Sequence, residues 1–128
     1  APQQPLALLV LSTARLMQAE TLTEPKQQKL MYNLAMRELT TAISHAPQIG
    51  YLYYNRAHLH QTLGHTDQAI ADYTKAIELL PQAGEAYYNR ALLLEQQGQH
   101  EQAIDDLSRA GELGIYQAYS LIHTIQTR

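Results

Sequence analysis

The sequence predicts an all-α fold in which helix–turn–helix units stack into a solenoid, and three observations support this prediction. A block of sequence recurs after 34 residues without a gap. Apolar and small residues within each block are spaced as on one face of a helix. Glycine or proline stands where each helix should end. The chain has 128 residues, enough to bury a core of its own.

The 34-residue repeat is the clearest of these features. The segment Tyr53–Ala57 recurs unchanged as Tyr87–Ala91, and Gly64 is matched by Gly98. Between residues 50–80 and 84–114, 15 of 31 positions are identical. Identity at this level with one fixed offset indicates a structural repeat in which each unit packs against the next.

Each unit is predicted to contain two helices joined by a short turn. The first helix shows the i, i+4, i+7 spacing of a single helical face at Tyr53, Ala57 and His60. Gly64 supplies the left-handed residue after that helix. The second helix is expected to begin near Thr66, with Thr66 as its N-cap, and Pro81 stops it.

Small residues recur where the two helices of a unit must approach each other closely. They are Ala57, Ala69 and Ala76 in one unit and Ala91, Ala103 and Ala110 in the next. We expect tyrosine and leucine side chains to fill the remaining space, because alternating large and small side chains allows helices to interdigitate.

A degenerate earlier unit is predicted in residues 1–48. Its second helix is expected over Pro25–Ala46, after a first helix over Pro5–Glu20 and a turn over Thr21–Glu24. Leu30 stands where the turn glycine should be, so the second helix is expected to begin several residues early. The apolar run Leu6–Leu11 is interpreted as a core-facing helix, not a signal peptide, because no basic segment precedes it.

The register changes after Gly114, because Ile115 stands where a proline is expected. We interpret Ile115–Gln126 as a closing helix that covers the last apolar face, with Leu121, Ile122 and Ile125 on its buried side. The predicted organisation is a single domain of seven helices. It comprises a degenerate repeat over residues 1–48, repeats over 49–82 and 83–114, and a capping helix over 115–128.

The unit resembles the tetratricopeptide repeat (TPR). The family pattern has an aromatic at its fourth position, small residues at the eighth and twentieth, an aromatic at the twenty-fourth, alanine at the twenty-seventh and proline at the thirty-second. The matching residues are Tyr53, Ala57, Ala69, Tyr73, Ala76 and Pro81, then Tyr87, Ala91, Ala103, Leu107 and Ala110. The second unit departs from the pattern at Ile115. The resemblance implies a right-handed superhelix with a concave groove lined mainly by the first helix of each pair.

By this resemblance, a row of aromatic and amide side chains faces the groove. The row consists of Tyr51, Tyr54, Asn55, His58, Thr62, Glu85, Tyr88, Asn89, Leu92 and Gln96, and Gln117 and Leu121 are expected to continue it. Tyrosine offers a large rigid contact, and asparagine can bond both donors and acceptors of a peptide backbone. The row therefore suits an extended peptide or a docked helix. The alternative is that Asn55 and Asn89 are repeat residues that only stabilise the stack.

Some members of the family hold a C-terminal carboxylate with a clamp of lysine and asparagine side chains. Asn89 matches one asparagine of that clamp, but Tyr54 stands at a lysine position and His58 at a second asparagine position. We therefore do not expect a carboxylate clamp. We interpret the acidic residues Asp67, Asp72, Glu101, Asp105 and Asp106 as complements to helix dipoles and not as an acidic patch. We interpret Arg56 and Arg90 as regular repeat residues.

Composition excludes several classes of function. The formal net charge is −3 with no cluster of Lys or Arg, which argues against duplex nucleic acid and anionic membrane surfaces. The absence of cysteine excludes disulfides, thiolate zinc sites and cysteine nucleophiles. The longest apolar run is far shorter than the roughly 18 residues of a membrane span. His58 and His60 point about 200° apart on a helix, so we expect no metal site there.

The sequence therefore predicts a non-catalytic scaffold or adaptor module without a cofactor, which binds a peptide or protein partner within a larger protein or assembly. A monomer is favoured. Two alternatives stay open: a structural module that self-associates through an open end of the stack, and a non-catalytic repeat segment of a larger enzyme or regulator.

Overall fold

The computed structural model describes residues 4–128, which form seven α-helices and no strand. The helices are α1 (Pro5–Thr21), α2 (Pro25–His45), α3 (Gly50–Thr62), α4 (Thr66–Leu79), α5 (Gly84–Gln96), α6 (His100–Glu112) and α7 (Gln117–Gln126). α1 packs on α2, α3 on α4 and α5 on α6, while α3, α5 and α7 each also pack on the helix before them. The predicted solenoid of helix pairs and the predicted count of seven helices are both confirmed.

Glycine and proline set the helix ends in the expected places. After α3, α5 and α6 the backbone turns through a glycine at positive φ, at Gly64 (79°), Gly98 (80°) and Gly114 (103°). Pro5 and Pro25 begin α1 and α2, where a missing amide donor costs nothing. The predicted N-cap was wrong: Thr66 is the first residue of α4, and His65 occupies the cap position without a side-chain hydrogen bond.

The alanines that recur every 34 residues lie at the contacts between helices. All six of them, Ala57, Ala69, Ala76, Ala91, Ala103 and Ala110, have no exposed surface. Tyr73 and Leu107, which are equivalent positions in α4 and α6, are also fully buried. The core is thus built from large and small side chains in alternation, as predicted. A small side chain such as that of alanine lets two helix backbones approach each other closely.

The α1–α2 pair is longer than the pairs that follow it. α2 has 21 residues and α4 has 14. Ala35 lies much further from the start of α2 than its repeat equivalent Ala69 lies from the start of α4. The seven additional residues of α2, about two helical turns or ~10 Å, therefore precede Ala35. Leu30 is inside the helix, so the early start predicted for it is confirmed.

The expectation that the run Leu6–Leu11 faces the core was wrong for four of its six residues. Leu8 and Leu9 pack against the core formed with α2 and α3. Leu6, Ala7, Val10 and Leu11 are exposed, because α1 packs mainly on α2. Its apolar outer face is consequently left in solvent. No helix in the described part of the chain is both long enough and apolar enough to cross a membrane.

The closing helix α7 begins at Gln117, two residues later than predicted. Ala118 and Ile125 are buried, and Leu121 and Ile122 pack against the α5–α6 core from partly buried positions. Gly111 permits this packing, since a Cβ atom there would lie 2.5 Å from the Tyr119 ring.

Two ion pairs inside the helix pairs correct our interpretation of the regularly spaced arginines and aspartates. Arg56 on α3 donates to both carboxylate oxygens of Asp72 on α4, at 2.7 and 2.9 Å. Arg90 and Asp106 repeat this arrangement one unit later, at 2.7 Å for both bonds. Both aspartates are 7% exposed. They are therefore buried partners of arginine and not solvent-facing complements of a helix dipole.

Candidate functional site

Two side-chain hydrogen bonds connect the first helices of neighbouring pairs. Asn55 Nδ2 on α3 donates to Thr13 Oγ1 on α1 over 3.3 Å. Asn89 Nδ2 on α5 donates to the Tyr54 hydroxyl oxygen on α3 over 3.2 Å. Since these helices are not consecutive in the chain, the bonds align α1, α3 and α5 side by side. We call the surface that these three helices share the groove.

Tyr51 is the most exposed aromatic side chain of the groove, at 59%. It lines one cavity toward α1 and another toward the connection between α4 and α5. The first cavity, of about 470 Å³, lies between α1 and α3 and is lined by Leu9, Val10, Thr13, Ala14, Met17, Tyr51 and Asn55. The second, of about 230 Å³, is lined by Tyr51, Tyr54, Leu80, Ala83 and Glu85. A guest chain lying across Tyr51 would contact both cavities.

The two cavities differ in electrostatic character. The α1–α3 cavity has no charged lining residue, whereas the second cavity holds the carboxylate of Glu85. Burial raises the pKa of Tyr54, and the nearby charge of Glu85 raises it further, against the opposing hydrogen bond from Asn89. The Tyr54 hydroxyl is therefore kept neutral and remains an acceptor for Asn89.

No lysine or arginine lines either cavity. Six of the nine cationic side chains of the sequence are held in ion pairs: Arg15, Arg56, Lys75, Arg90, Arg109 and Arg128. The other three, Lys26, Lys29 and Arg37, lie on α2. The groove consequently offers an incoming carboxylate no cationic partner from the residues that line its cavities.

Half of the residues predicted for the groove gather around Tyr51. Tyr51, Tyr54 and Glu85 share one cavity, Asn55 lines the other, and Asn89 is bonded to Tyr54. The hydrogen bonds of Asn55 and Asn89 are also the stack-stabilising contacts that the alternative interpretation expected. Each amide thus connects two helices and lies at the edge of the candidate site.

The remaining predicted residues lie farther along the helices. His58, Thr62 and Gln96 are exposed and line neither cavity. Leu92 is half-buried, and Tyr88 and Leu121 pack partly into the α5–α7 core. Gln117 is exposed at the first turn of α7. These residues would extend a binding surface but do not shape the cavities.

Sequence reasoning missed the contribution of α1. Val10, Thr13, Ala14 and Met17 form one side of the larger cavity, and Val10 and Met17 are 69% and 65% exposed. The signal was present in the composition of α1, which is apolar around more of its circumference than a helix covered on one side requires. The 34-residue step could not locate these residues, because the longer α2 shifts the register of α1.

The histidines do not form a ligand set. His60 and His65 approach each other with 3.1 Å between their Nδ1 atoms, while His58 is exposed on the same helix as His60. Burial lowers the pKa of His60, and the carboxylate of Asp72, 3.8 Å from its Nε2, partly opposes this shift. Residues 4–128 contain no group of three or more side chains placed to hold a metal ion.

The chain is similar in sequence and in fold to known proteins. A family model described as tetratricopeptide repeat matches residues 54–118, and a search of curated proteins gave no match. Among solved structures, the chain is similar to the first TPR domain of Spaghetti (RPAP3) bound to an HSP90 peptide, with 22% identity and a TM-score of 0.82. A TPR protein from Thermus thermophilus gives 20% and 0.82, and MamA from MSR-1 gives 25% and 0.70.

These matches span different shares of the proteins compared. They cover 99%, 100% and 88% of this chain, in the order given. In return the chain covers 94% of the Spaghetti domain, but 66% of the Thermus protein and 59% of MamA. It is therefore comparable to a whole domain of the first and to part of the other two.

Proposed function

The chain belongs to the tetratricopeptide repeat family, and from this premise we propose that it is a non-catalytic binding module for a segment of another protein. The segment lies in the groove across Tyr51, in contact with α1, α3 and α5. The module acts as a scaffold or adaptor within a larger protein or assembly, and the chain itself is a monomer.

One observation carries this proposal: Tyr51 projects 59% exposed between two cavities on the groove side of the stack. A tyrosine side chain supplies a large contact area at a low cost in conformational entropy, which is why such residues recur at peptide-binding surfaces. The hydrogen bonds of Asn55 and Asn89 fix the three helices beside it. A preorganised surface of this kind reduces the entropy cost of binding.

The Spaghetti domain was solved with an HSP90 peptide, but the similarity to it supports the shared fold and not the same ligand. A clamp for a C-terminal carboxylate would need lysine side chains in the groove. None lines the cavities here, and Tyr54 and Asn89 are already bonded to each other. The proposed segment is therefore not a carboxylate tail.

The proposal is tested with peptides selected from a phage-displayed library of random dodecapeptides on the immobilised chain. Affinities of the selected peptides are then measured by fluorescence anisotropy for the wild type, for Tyr51→Ser and for Tyr116→Ser. Tyr116 is a matched control, since it is 73% exposed and lies just before α7. We expect Tyr51→Ser to weaken binding by about tenfold and Tyr116→Ser to leave it unchanged. Equal affinities for all three proteins would refute a site at Tyr51.

Self-association is the second candidate, and the apolar outer face of α1 favours it. Leu6 and Leu11 are 64% and 43% exposed there. Light scattering over a range of protein concentrations separates the two proposals. A mass of one chain at every concentration supports the binding module, whereas a dimer abolished by Leu6→Ser with Leu11→Ser supports self-association.

A further inference from the structure

We infer that the segment bound in the groove carries a large aliphatic or methionine side chain next to a lysine or arginine. The aliphatic side chain occupies the α1–α3 cavity, and the cationic one lies over Tyr51 toward Glu85. This inference rests on the proposed function and names the chemical class of its partner.

The α1–α3 cavity selects an apolar side chain. Val10, Ala14 and Met17 follow the i, i+4, i+7 spacing of one helical face, so their side chains form a continuous apolar surface beside Tyr51. Val10 and Met17 are about two-thirds exposed, and a guest that covers them removes that apolar area from water.

The Thr13 hydroxyl in the same cavity has little to offer a polar guest. The Thr13 hydroxyl donates to the Leu9 carbonyl oxygen over 2.8 Å and accepts from Asn55 Nδ2 over 3.3 Å. Its proton and one lone pair are therefore already used. A polar guest side chain would otherwise meet mainly the apolar side chains of Leu9, Val10, Ala14 and Met17 and would lose its hydration there.

The second cavity selects a cation. Glu85 is exposed and takes part in none of the ion pairs within residues 4–128. Leu80 and Ala83 line the cavity beside its carboxylate. The methylene groups of a lysine or arginine can cover these two residues and the Tyr51 ring while the charged end reaches Glu85.

Charge also decides against an acidic partner. Glu85 is the one charged residue lining the second cavity, the first has none, and the chain as a whole carries a formal charge of −3. An aspartate or glutamate of a guest near Tyr51 would meet a like charge with no lysine or arginine lining either cavity to offset it. This repulsion weakens the binding of an acidic segment, whereas Glu85 attracts a segment that has a lysine or arginine at the same place.

The test repeats the dodecapeptide selection on the wild type, on Glu85→Lys and on Glu101→Lys. Glu101 is the matched control, since it is exposed on α6 and lines neither cavity. We expect the wild type and the control to enrich peptides that pair Leu, Ile or Met with a nearby Lys or Arg. Glu85→Lys should retain the aliphatic preference and lose the cationic one.

Affinities of one selected peptide, synthesised with acetyl and amide ends, provide the quantitative readout. Glu85→Gln should weaken its binding by about two- to fivefold, with the effect reduced at high salt. Met17→Ser should weaken it by about tenfold. Leu30→Ser, an equivalent change at an exposed leucine of α2 that lines neither cavity, should not. Circular dichroism of each variant confirms that the helices are intact.

The outcomes separate this inference from the proposed function. If no selected peptide depends on Tyr51, the proposed function fails. If peptides depend on Tyr51 but are enriched in Asp or Glu, or are indifferent to Glu85→Lys, the binding module stands and the inference is overturned. A dimer that disappears in Met17→Ser would show that a second copy fills the cavity, and would also overturn it.

Discussion

Arg90 and Asp106 form a two-pronged ion pair in which Nε and Nη2 of the arginine each lie 2.7 Å from a carboxylate oxygen. A third nitrogen, Nη1, donates to Thr74 Oγ1 over 3.1 Å, so one guanidinium connects α5 both to α6 and to α4. The pair joins the two helices of one unit and anchors them to the preceding unit. Arg56 and Asp72 repeat the first part of this arrangement.

Removing one partner of this ion pair should destabilise the fold. Asp106→Ala leaves the partly buried guanidinium of Arg90 without its carboxylate, and we expect the free energy of unfolding to fall by about 2–4 kcal/mol. Urea denaturation followed by circular dichroism measures the change. Asp105→Ala, at the exposed neighbouring carboxylate, should change stability by less than about 0.5 kcal/mol. Equal effects of the two variants would show that the buried pair contributes no more than a surface charge.

The buried alanines predict a steric limit on the helix contacts. Ala69→Leu places three additional carbons at a position with no exposed surface, and we expect a loss of about 1–3 kcal/mol. Ala71→Leu makes the same change two residues away at an exposed position of α4, and should be nearly neutral. The thermal midpoints of the two variants give the comparison. An unchanged midpoint for Ala69→Leu would contradict the close approach of α3 and α4.

His60 should make stability depend on pH. Burial lowers its pKa, with smaller contributions from the charges of His65 and Arg56, while Asp72 opposes the shift. The unfolded chain then binds this proton more tightly than the folded chain. Stability is therefore lost as the pH falls below the ordinary histidine pKa of about 6.5. Urea midpoints at about pH 7.5 and about pH 5.5 measure the loss.

The variant His60→Leu isolates this contribution, because Leu94 occupies the equivalent position of the next unit and is 7% exposed. We expect the pH-dependent loss to be smaller in His60→Leu than in the wild type. His58→Leu, at the exposed histidine of the same helix, should retain the loss of the wild type. A loss of the same size in His60→Leu and the wild type would assign the pH dependence to other groups.

Substitutions of Tyr51 and Tyr54 should distinguish a residue that is needed for binding from one that is needed for folding. Tyr54 is half-buried, accepts from Asn89 and lies edge-to-face against Tyr73 with 5.7 Å between ring centroids. Tyr54→Ala should therefore cost about 1–2 kcal/mol of stability. Tyr51→Ser should cost less than about 0.5 kcal/mol, since the side chain is mostly in solvent. Urea denaturation of both variants checks the assignment, and a large loss in Tyr51→Ser would make Tyr51 a folding residue.

Part of the candidate site could be predicted from the sequence. The groove side of α3 and α5 was predicted from the resemblance to the tetratricopeptide repeat, which implies that Tyr54 and Asn89 face the groove. The α1 side did not, since two additional turns in α2 remove the fixed offset there. The apolar composition of α1 indicates that part of its surface is uncovered, but it does not indicate which side chains, such as those of Val10 and Met17, are the exposed ones.

The ion pairs show the same division between sequence and structure. Arg56 and Asp72 each recur at an offset of 34 residues, so the sequence showed that both positions are retained in the two clear repeats. It did not show that they touch. The partners lie 16 residues apart on two helices, and only the angle at which those helices cross brings the guanidinium onto the carboxylate.

The sequence by itself determined the type of fold, the number of helices and most of their ends, because helical periodicity, glycine and proline act locally on the backbone. It also determined which small residues must lie between helices. The tertiary structure alone decided which face of α1 stays in solvent and where the cavities beside Tyr51 lie. Those properties depend on which helices pack against α1, and the sequence of α1 does not indicate how many of its faces are covered.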